Sequence, residues 1–320
     1  MSSSADTRLF AFVLIPSFSL LALASAMDGL RAANYAIGQT VYRWRVHAPQ
    51  AGEITQHASC GMPVGCLGLD EAEDADVIVL CGGDQSHEFS NKKLSDFLRA
   101  RLRRGASVGA LSEASFILAE AGLFDGRRST IHWKCQHAYR ERFPNLDIRS
   151  SLFEIDGPVF SCVGGTSALD LILRMIMTDH GAHVASAVAE NYHHDTIRGQ
   201  EQAQKLSSIL KYAGDSPALV NALFLMESNI ETPLTVAELC RRSDIAHRRL
   251  DRLFQRYIGA SPNVYYRKVR LERAAQLLSQ TTMPIAAIAT ACGFASSSHL
   301  AKHFKMVYGS PPKNYRSSRQ

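Results

Sequence analysis

Thr235-Val236-Ala237-Glu238-Leu239, the turn Ser243-Asp244-Ile245, and Ala246-His247-Arg248-Arg249-Leu250-Asp251-Arg252-Leu253-Phe254 read as a short helix, a break and a longer helix. Thr235 and Glu238 stand at the spacing of a capping box, in which each side chain satisfies the other's backbone N–H. In the longer helix Leu250, Leu253, Phe254 and Tyr257 fall on one stripe. That leaves His247, Arg248, Arg249, Asp251 and Arg252 outside. The design recurs in Pro284-Ile285-Ala286-Ala287-Ile288-Ala289, the turn Cys292-Gly293-Phe294, and Ser296 to Phe304. There Leu300, Phe304 and Val307 are expected to pack inward, and Ser297, Ser298, Ala301 and Lys302 to point out. The segment Pro262 to Ser279 joins the two copies as one long helix.

A short helix, a tight turn and a polar-faced second helix make the helix-turn-helix layout, whose second helix enters the DNA major groove. Arginine there binds guanine through two parallel hydrogen bonds, and serine reaches base edges or phosphate. The charge distribution agrees. Of the 320 residues, those from Asn221 to Gln320 hold fifteen Lys/Arg and six Asp/Glu, a net of +9, whereas the preceding part is mildly acidic. A basic tail on an acidic body suits a polyanionic partner for the tail. An ordinary helical bundle with a basic face explains one copy, but poorly explains two joined by a long helix.

Working toward the beginning of the chain, the pattern changes. Leu9 to Ile15 is β-branched and aromatic and is followed by Pro16-Ser17 and a helical run, a strand-turn-helix unit rather than a secretory signal, since only Arg8 precedes it as a basic residue. Tyr42 to His47, Val77 to Cys81 and Ser107 to Leu111 read as further strands. The amphipathic stretch Asn91 to Arg104 and the run Ser112 to Ala121 read as helices. Asp156-Gly157-Pro158 marks a hairpin, and Thr166 to Met177 and His183 to Tyr192 read as helices. Strands alternating with helices predict an α/β layered domain with a mostly parallel sheet. The seven cysteines are scattered, without CxxC pairs or zinc-site spacing, which suits a reducing cytoplasm and predicts no metal. No run is apolar enough to predict a membrane span. The expected organisation is an α/β domain over 8–200, a linker over 201–220 and an all-α domain over 221–320.

Leu234 to Arg316 resembles the AraC-type DNA-binding domain over its whole length. The resemblance rests on Arg249-Leu250-Asp251-Arg252-Leu253-Phe254, Ser261-Pro262, Tyr266-Arg267-Lys268-Val269-Arg270-Leu271-Glu272-Arg273-Ala274, Ile288-Ala289, Cys292-Gly293-Phe294 and Gly309 to Tyr315. It implies two recognition helices in successive major-groove segments of double-stranded DNA. Two departures stand in the first copy. Asp244 replaces a turn glycine and Ala246 a capping Ser or Thr; Asp tolerates a left-handed backbone and is expected to supply the missing cap itself.

The run Leu118 to Trp133 (LAEAGLFDGRRSTIHW) resembles the class I glutamine amidotransferase-like domain of GlxA-type AraC regulators. Cys162-Val163-Gly164-Gly165-Thr166-Ser167-Ala168-Leu169-Asp170 and Ile197-Arg198 fit it too. The resemblance implies a flavodoxin-like fold and is nearest the subgroup sensing arginine, glycine betaine or carnitine. It also implies an activator acting as a homodimer. In that superfamily a sharp elbow carries a cysteine nucleophile; here it reads Ser112-Glu113-Ala114. A triad of Ser112, His132 and Asp28 is conceivable. Yet a hydrolase elbow wants glycines on both sides of the serine, and Ser112 reads more simply as a helix cap. The domain is therefore expected to bind rather than catalyse, with no cofactor. Ligands of open α/β sheets sit at the carboxyl ends of the strands. Asp28, Gly83, Asp84, Ser112, Glu113, His132 and Trp133 are the expected effector residues, with the Trp133 ring facing a quaternary ammonium or guanidinium group. The competing readings are an amidase- or glyoxalase-like enzyme with a regulatory DNA-binding tail, and a constitutive architectural DNA binder.

Overall fold

In the computed structural model the described residues are 7–52, 54–83, 85–200, 202, 204 and 216–317. The chain divides into two compact units, Met1–Gln204 and Lys205–Gln320. Among the described residues no helix is long and apolar enough to cross a membrane.

The first unit is built on a six-stranded sheet. Its strands are β1 (Arg8–Leu14), β2 (Tyr42–His47), β5 (Val77–Cys81), β6 (Ser107–Leu111), β9 (Phe153–Asp156) and β10 (Val159–Cys162), in the order β2-β1-β5-β6-β10-β9. All neighbours run parallel except the β9–β10 hairpin at one edge. The pleat explains the continuous apolar runs, because successive side chains enter opposite layers and both layers are covered. Phe10, Phe12 and Leu14 pack under the helices α1 (Leu20–Ile37), α5 (Ser167–His180) and α6 (Ala182–Asn191), whereas Ala11, Val13 and Ile15 face the layer of α2 (Lys92–Arg103), α3 (Ser115–Glu120) and α4 (Gln136–Arg142). Helices α1 and α5 approach closely at Gly29, where an added Cβ would lie 3.0 Å from Ile172. Two small elements lack strong periodicity in the sequence: the hairpin of β3 (Ile54–His57) and β4 (Pro63–Cys66), and the parallel pair β7 (Arg128–Thr130) and β8 (Asp147–Arg149). Each is only three or four residues long, too short to register as a pattern.

The second unit is helical throughout its described residues: α7 (Pro217–Ser228), α8 (Val236–Arg242), α9 (His247–Ile258), α10 (Pro262–Gln280), α11 (Ile285–Ala291), α12 (Ser297–Tyr308) and α13 (Pro312–Ser317). It has two cores. Leu239, Ile245, Leu250 and Phe254 form one with Leu219, Leu223 and Met226 of α7. Ile288, Cys292, Phe294, Leu300 and Phe304 form the other with Leu271, Ala274, Leu277 and Leu278 of α10. The long helix α10 serves both, since its Tyr266 belongs to the first core and accepts a hydrogen bond from the Leu234 amide at 3.2 Å. Further along it, Arg270 donates to the Gly293 carbonyl at 2.8 Å and covers the Phe294 ring. Arg273, on the same helix, is buried, and burial pulls its guanidinium down to about 9.

One packing expectation is corrected. Val307 is 53% exposed. The stripe of α12 passes from Phe304 to Tyr308, four residues on, whose ring stacks on Phe304 at 4.4 Å and meets Tyr315 of α13 at 5.3 Å. A helix not yet visible to the periodicity, α13, thus decides which residue turns inward.

Candidate functional site

The elbow after β6 is held in a conformation that its own residues do not favour. Ser112 has φ +61°, the left-handed region that costs an L-residue about 1–2 kcal/mol. It lies in a short 3-10 turn, Ser112–Ala114, before α3, and no side-chain capping bond starts that helix. The simple cap reading of Ser112 is therefore replaced by a strained turn that aims its side chain off the strand end. Glycines missing beside Ser112 are supplied by neighbouring strands. A Cβ on Gly164, after β10, would lie 2.9 Å from the Ser112 Cβ, and one on Gly82, after β5, would lie 2.4 Å from the Ala114 amide nitrogen. Gly83 is as confined: a Cβ there would lie 2.0 Å from the Ser17 carbonyl oxygen. Its amide and carbonyl both bond Ser86 Oγ at 2.9 Å.

The expected effector residues are only partly brought together. Ser112 and Gly83 follow the carboxyl ends of the neighbouring strands β6 and β5. His132 and Trp133 follow β7 in a loop tied to the elbow from two sides. Ser115 Oγ donates to the Thr130 carbonyl at 2.9 Å, and Cys135 Sγ donates to Glu113 Oε1 at 3.0 Å. The Lys134 ammonium lies 5.7 Å from the centre of the Trp133 ring, so that face already attracts a cation. Glu113 is buried, with Cys135 against its Oε1 and His87 Nδ1 3.8 Å from its Oε2. Asp28 stands well inside α1, paired with Arg31 at 2.8 Å, while its carbonyl accepts from Tyr192, just after α6. The triad of Ser112, His132 and Asp28 is not assembled: Ser112 Oγ has no hydrogen-bond partner among the described residues. Asp84 lies outside the described residues.

Residues not anticipated as functional bind the exit of this unit to the same region. Asp170 in the first turn of α5, wholly buried, receives Arg198 Nη2 at 2.6 Å and His194 Nε2 at 2.8 Å. Further on, the side-chain amide of Gln204 donates to Thr130 Oγ1, the Ile131 carbonyl and the Ser151 carbonyl at 2.9–3.1 Å. The chain leaving the α/β unit is thus stitched to the residues just before His132. Nothing in the sequence marked Gln204.

In the second unit the two helix-turn-helix copies differ as their sequences do. Asp244 adopts φ +49° where Gly293 adopts +67°, so Asp fills the turn glycine's conformation. It does not supply the cap: Ala246 stands at the N-cap of α9 with no side-chain capping bond, whereas Ser296 Oγ accepts from the His299 amide at 3.1 Å. Thr235 and Glu238 form the capping box of α8. Arg248, Arg249 and Arg252 are exposed on α9 and, among the described residues, enter no ion pair; His247 is paired with Asp251 at 3.0 Å. On α12, Ser297, Ser298 and Lys302 are exposed and Ala301 half-buried.

With both units described, the relatives can be weighed. Residues 12–176 match the DJ-1/PfpI family, and residues 239–318 match a helix-turn-helix domain. The HTH-type transcriptional regulator GbdR of Pseudomonas aeruginosa is 36% identical over 95% of this chain and 83% of its own. The HTH-type transcriptional regulator GlxA of Rhizobium meliloti is 35% identical over 99% of this chain and 98% of its own. The chain belongs to this family of HTH-type transcriptional regulators. Its first unit also has the fold of a solved AraC family regulator from Pseudomonas putida, at 22% identity and a TM-score of 0.54, covering 58% of this chain and 99% of that one. The flavodoxin-like sheet and the AraC-type helical unit expected from the sequence are therefore those of the family. As a member, the regulator reads DNA through a helix-turn-helix unit and carries a DJ-1/PfpI domain, a fold that also includes enzymes.

Proposed function

We propose that this regulator senses a small cationic metabolite, a quaternary ammonium or guanidinium compound, at the carboxyl end of its sheet and binds operator DNA in response. The observation that carries the reading is the Ser112 elbow. Its strained geometry is retained with serine in place of a cysteine. The elbow would hold the ligand, with a serine at the position of the cysteine nucleophile. Gly82, Gly83 and Gly164 bring backbone close around it, Trp133 offers a ring to a cation, and Gln204 ties the loop of Trp133 to the segment leading toward the DNA-binding unit. On α9, Arg248, Arg249 and Arg252, with His247 and Asp251, would make the base-reading surface; Ser297, Ser298, Ala301 and Lys302 would do so on α12. A homodimer matches repeated half-sites.

A second place for the ligand has its own observation. A groove of about 720 Å³ at the start of β1 and β2 is lined by Trp44, Asp74 and Asp76, at the opposite end of the strands from the elbow. Calorimetry of the full chain with glycine betaine, dimethylglycine, carnitine, choline and arginine separates the two. We expect heat with one of them that Trp133→Ala abolishes and Trp44→Ala preserves. The reverse pattern moves the site to the groove, and no heat with any of the five ends the cationic-effector reading.

A further inference from the structure

We propose that the second helix-turn-helix copy carries a two-histidine site for a divalent late transition-metal ion, formed by His299 and His303, and that its occupancy alters DNA binding. The two residues are one helical turn apart on α12, where positions i and i+4 lie one above the other. Their Nε2 atoms face each other at 3.1 Å, with ring centres 4.8 Å apart. Zinc-type ions bind imidazole nitrogen at about 2.0–2.1 Å, so two neighbouring ligands are about 2.9 Å apart in an octahedral shell and about 3.4 Å apart in a tetrahedral one. The pair is already set between those limits. The ring edge of His299 is steadied by Phe294, 5.7 Å away, and its backbone by the Ser296 cap.

The chemistry balances without loss of a proton. In the free pair one Nε2–H donates to the other Nε2. On binding, that proton moves to Nδ1 of the same ring, and both rings coordinate as neutral imidazoles through Nε2. Arg267, Lys302 and Arg270 stand near His303 as positive charges. Those cations oppose every dication alike, and it is the imidazole donors that favour late transition metals over hard ions such as magnesium. No cluster of three or more His, Cys, Asp or Glu that could hold a metal exists among the described residues. The other coordination positions are therefore left to water, which a DNA phosphate oxygen can replace. His299 and His303 lie on the helix of Ser298 and Lys302, so the added charge acts where DNA contact is proposed.

The test uses the untagged full chain, Ni²⁺ as probe, and a duplex recovered from a random pool by selection on the same protein. We expect Ni²⁺ affinity to fall at least tenfold in both His299→Ala and His303→Ala and to be unchanged in His193→Ala, an exposed histidine of the first unit. Ni²⁺ should also shift duplex affinity in the wild type relative to EDTA, and not in His303→Ala. Undiminished binding in both α12 variants, or no binding by the wild type at submillimolar Ni²⁺, overturns the site. Ni²⁺ bound at the pair with duplex affinity unchanged overturns its effect on DNA. Circular dichroism of each variant excludes loss of fold as the cause.

Discussion

Gly164 and Gly165 are adjacent, both left-handed at φ +84° and +59°, yet only one is crowded. A Cβ at Gly165 meets nothing within 4 Å, whereas one at Gly164 lies 2.9 Å from the Ser112 Cβ and 3.2 Å from the Ser112 Cα and nitrogen. Gly165→Ala should therefore cost only the conformational penalty, about 1–2 kcal/mol. Gly164→Ala adds an overlap against backbone that cannot rotate away, worth a further 1–3 kcal/mol by the usual scale of overpacking, roughly 2 in the middle of that range. A gap of about 2 kcal/mol corresponds to about 4–8 °C in Tm for a unit of this size. The assay is tryptophan fluorescence, because Trp44 and Trp133 are the chain's two tryptophans and both stand in the α/β unit. Unfolding followed at that signal reads this unit alone. Equal losses in the two variants would refute the argument that strand β10 supplies the room the elbow lacks.

Arg248→Ala and Arg252→Ala should each weaken specific DNA binding by about 1–3 kcal/mol if the side chain reads a base; electrophoretic titration at two salt concentrations checks this, and a uniform loss with a shallower salt slope would make them phosphate contacts. Ala246→Ser should stabilise the helical unit by about 1 kcal/mol through the absent cap of α9, and Ser296→Ala should destabilise it by a similar amount; thermal melting followed by circular dichroism should show the two shifts in opposite directions. Asp170→Asn should destabilise the α/β unit by about 2 kcal/mol, below the 3–5 kcal/mol typical of a broken fully buried pair, because Arg198 and His194 keep side-chain exposures of 27% and 19% and regain water. An unchanged fluorescence midpoint would show that the Asp170 contacts do not hold the exit segment.

Much of this was legible because periodicity is a local property. The stripes of α9 and α12 are set by Leu250 with Phe254 and by Leu300 with Phe304, residues within one helix, and the apolar strands need only be covered on both faces. The short pairs β3–β4 and β7–β8 were not legible, since three or four residues do not make a period. Ser112 and Gly83 follow β6 and β5, whose carboxyl ends the parallel topology sets side by side, whereas His132 and Trp133 follow β7 of the separate β7–β8 pair. Asp28 bonds Arg31 and Glu113 meets Cys135, partners that chain position does not reveal.

The helix-turn-helix pair with its basic tail, and the alternation of strand and helix before it, were determined by the sequence alone, because each rests on spacing between near neighbours. The elbow was decided only in three dimensions. Whether a serine can occupy φ +61° without flanking glycines depends on Gly82 and Gly164, which stand 30 residues before it and 52 after it and reach it only through the parallel register of β5, β6 and β10. Tertiary contact likewise turned Val307 out in favour of Tyr308 and gave Gln204 its three acceptors, since packing and hydrogen bonding between distant segments leave no period in the chain.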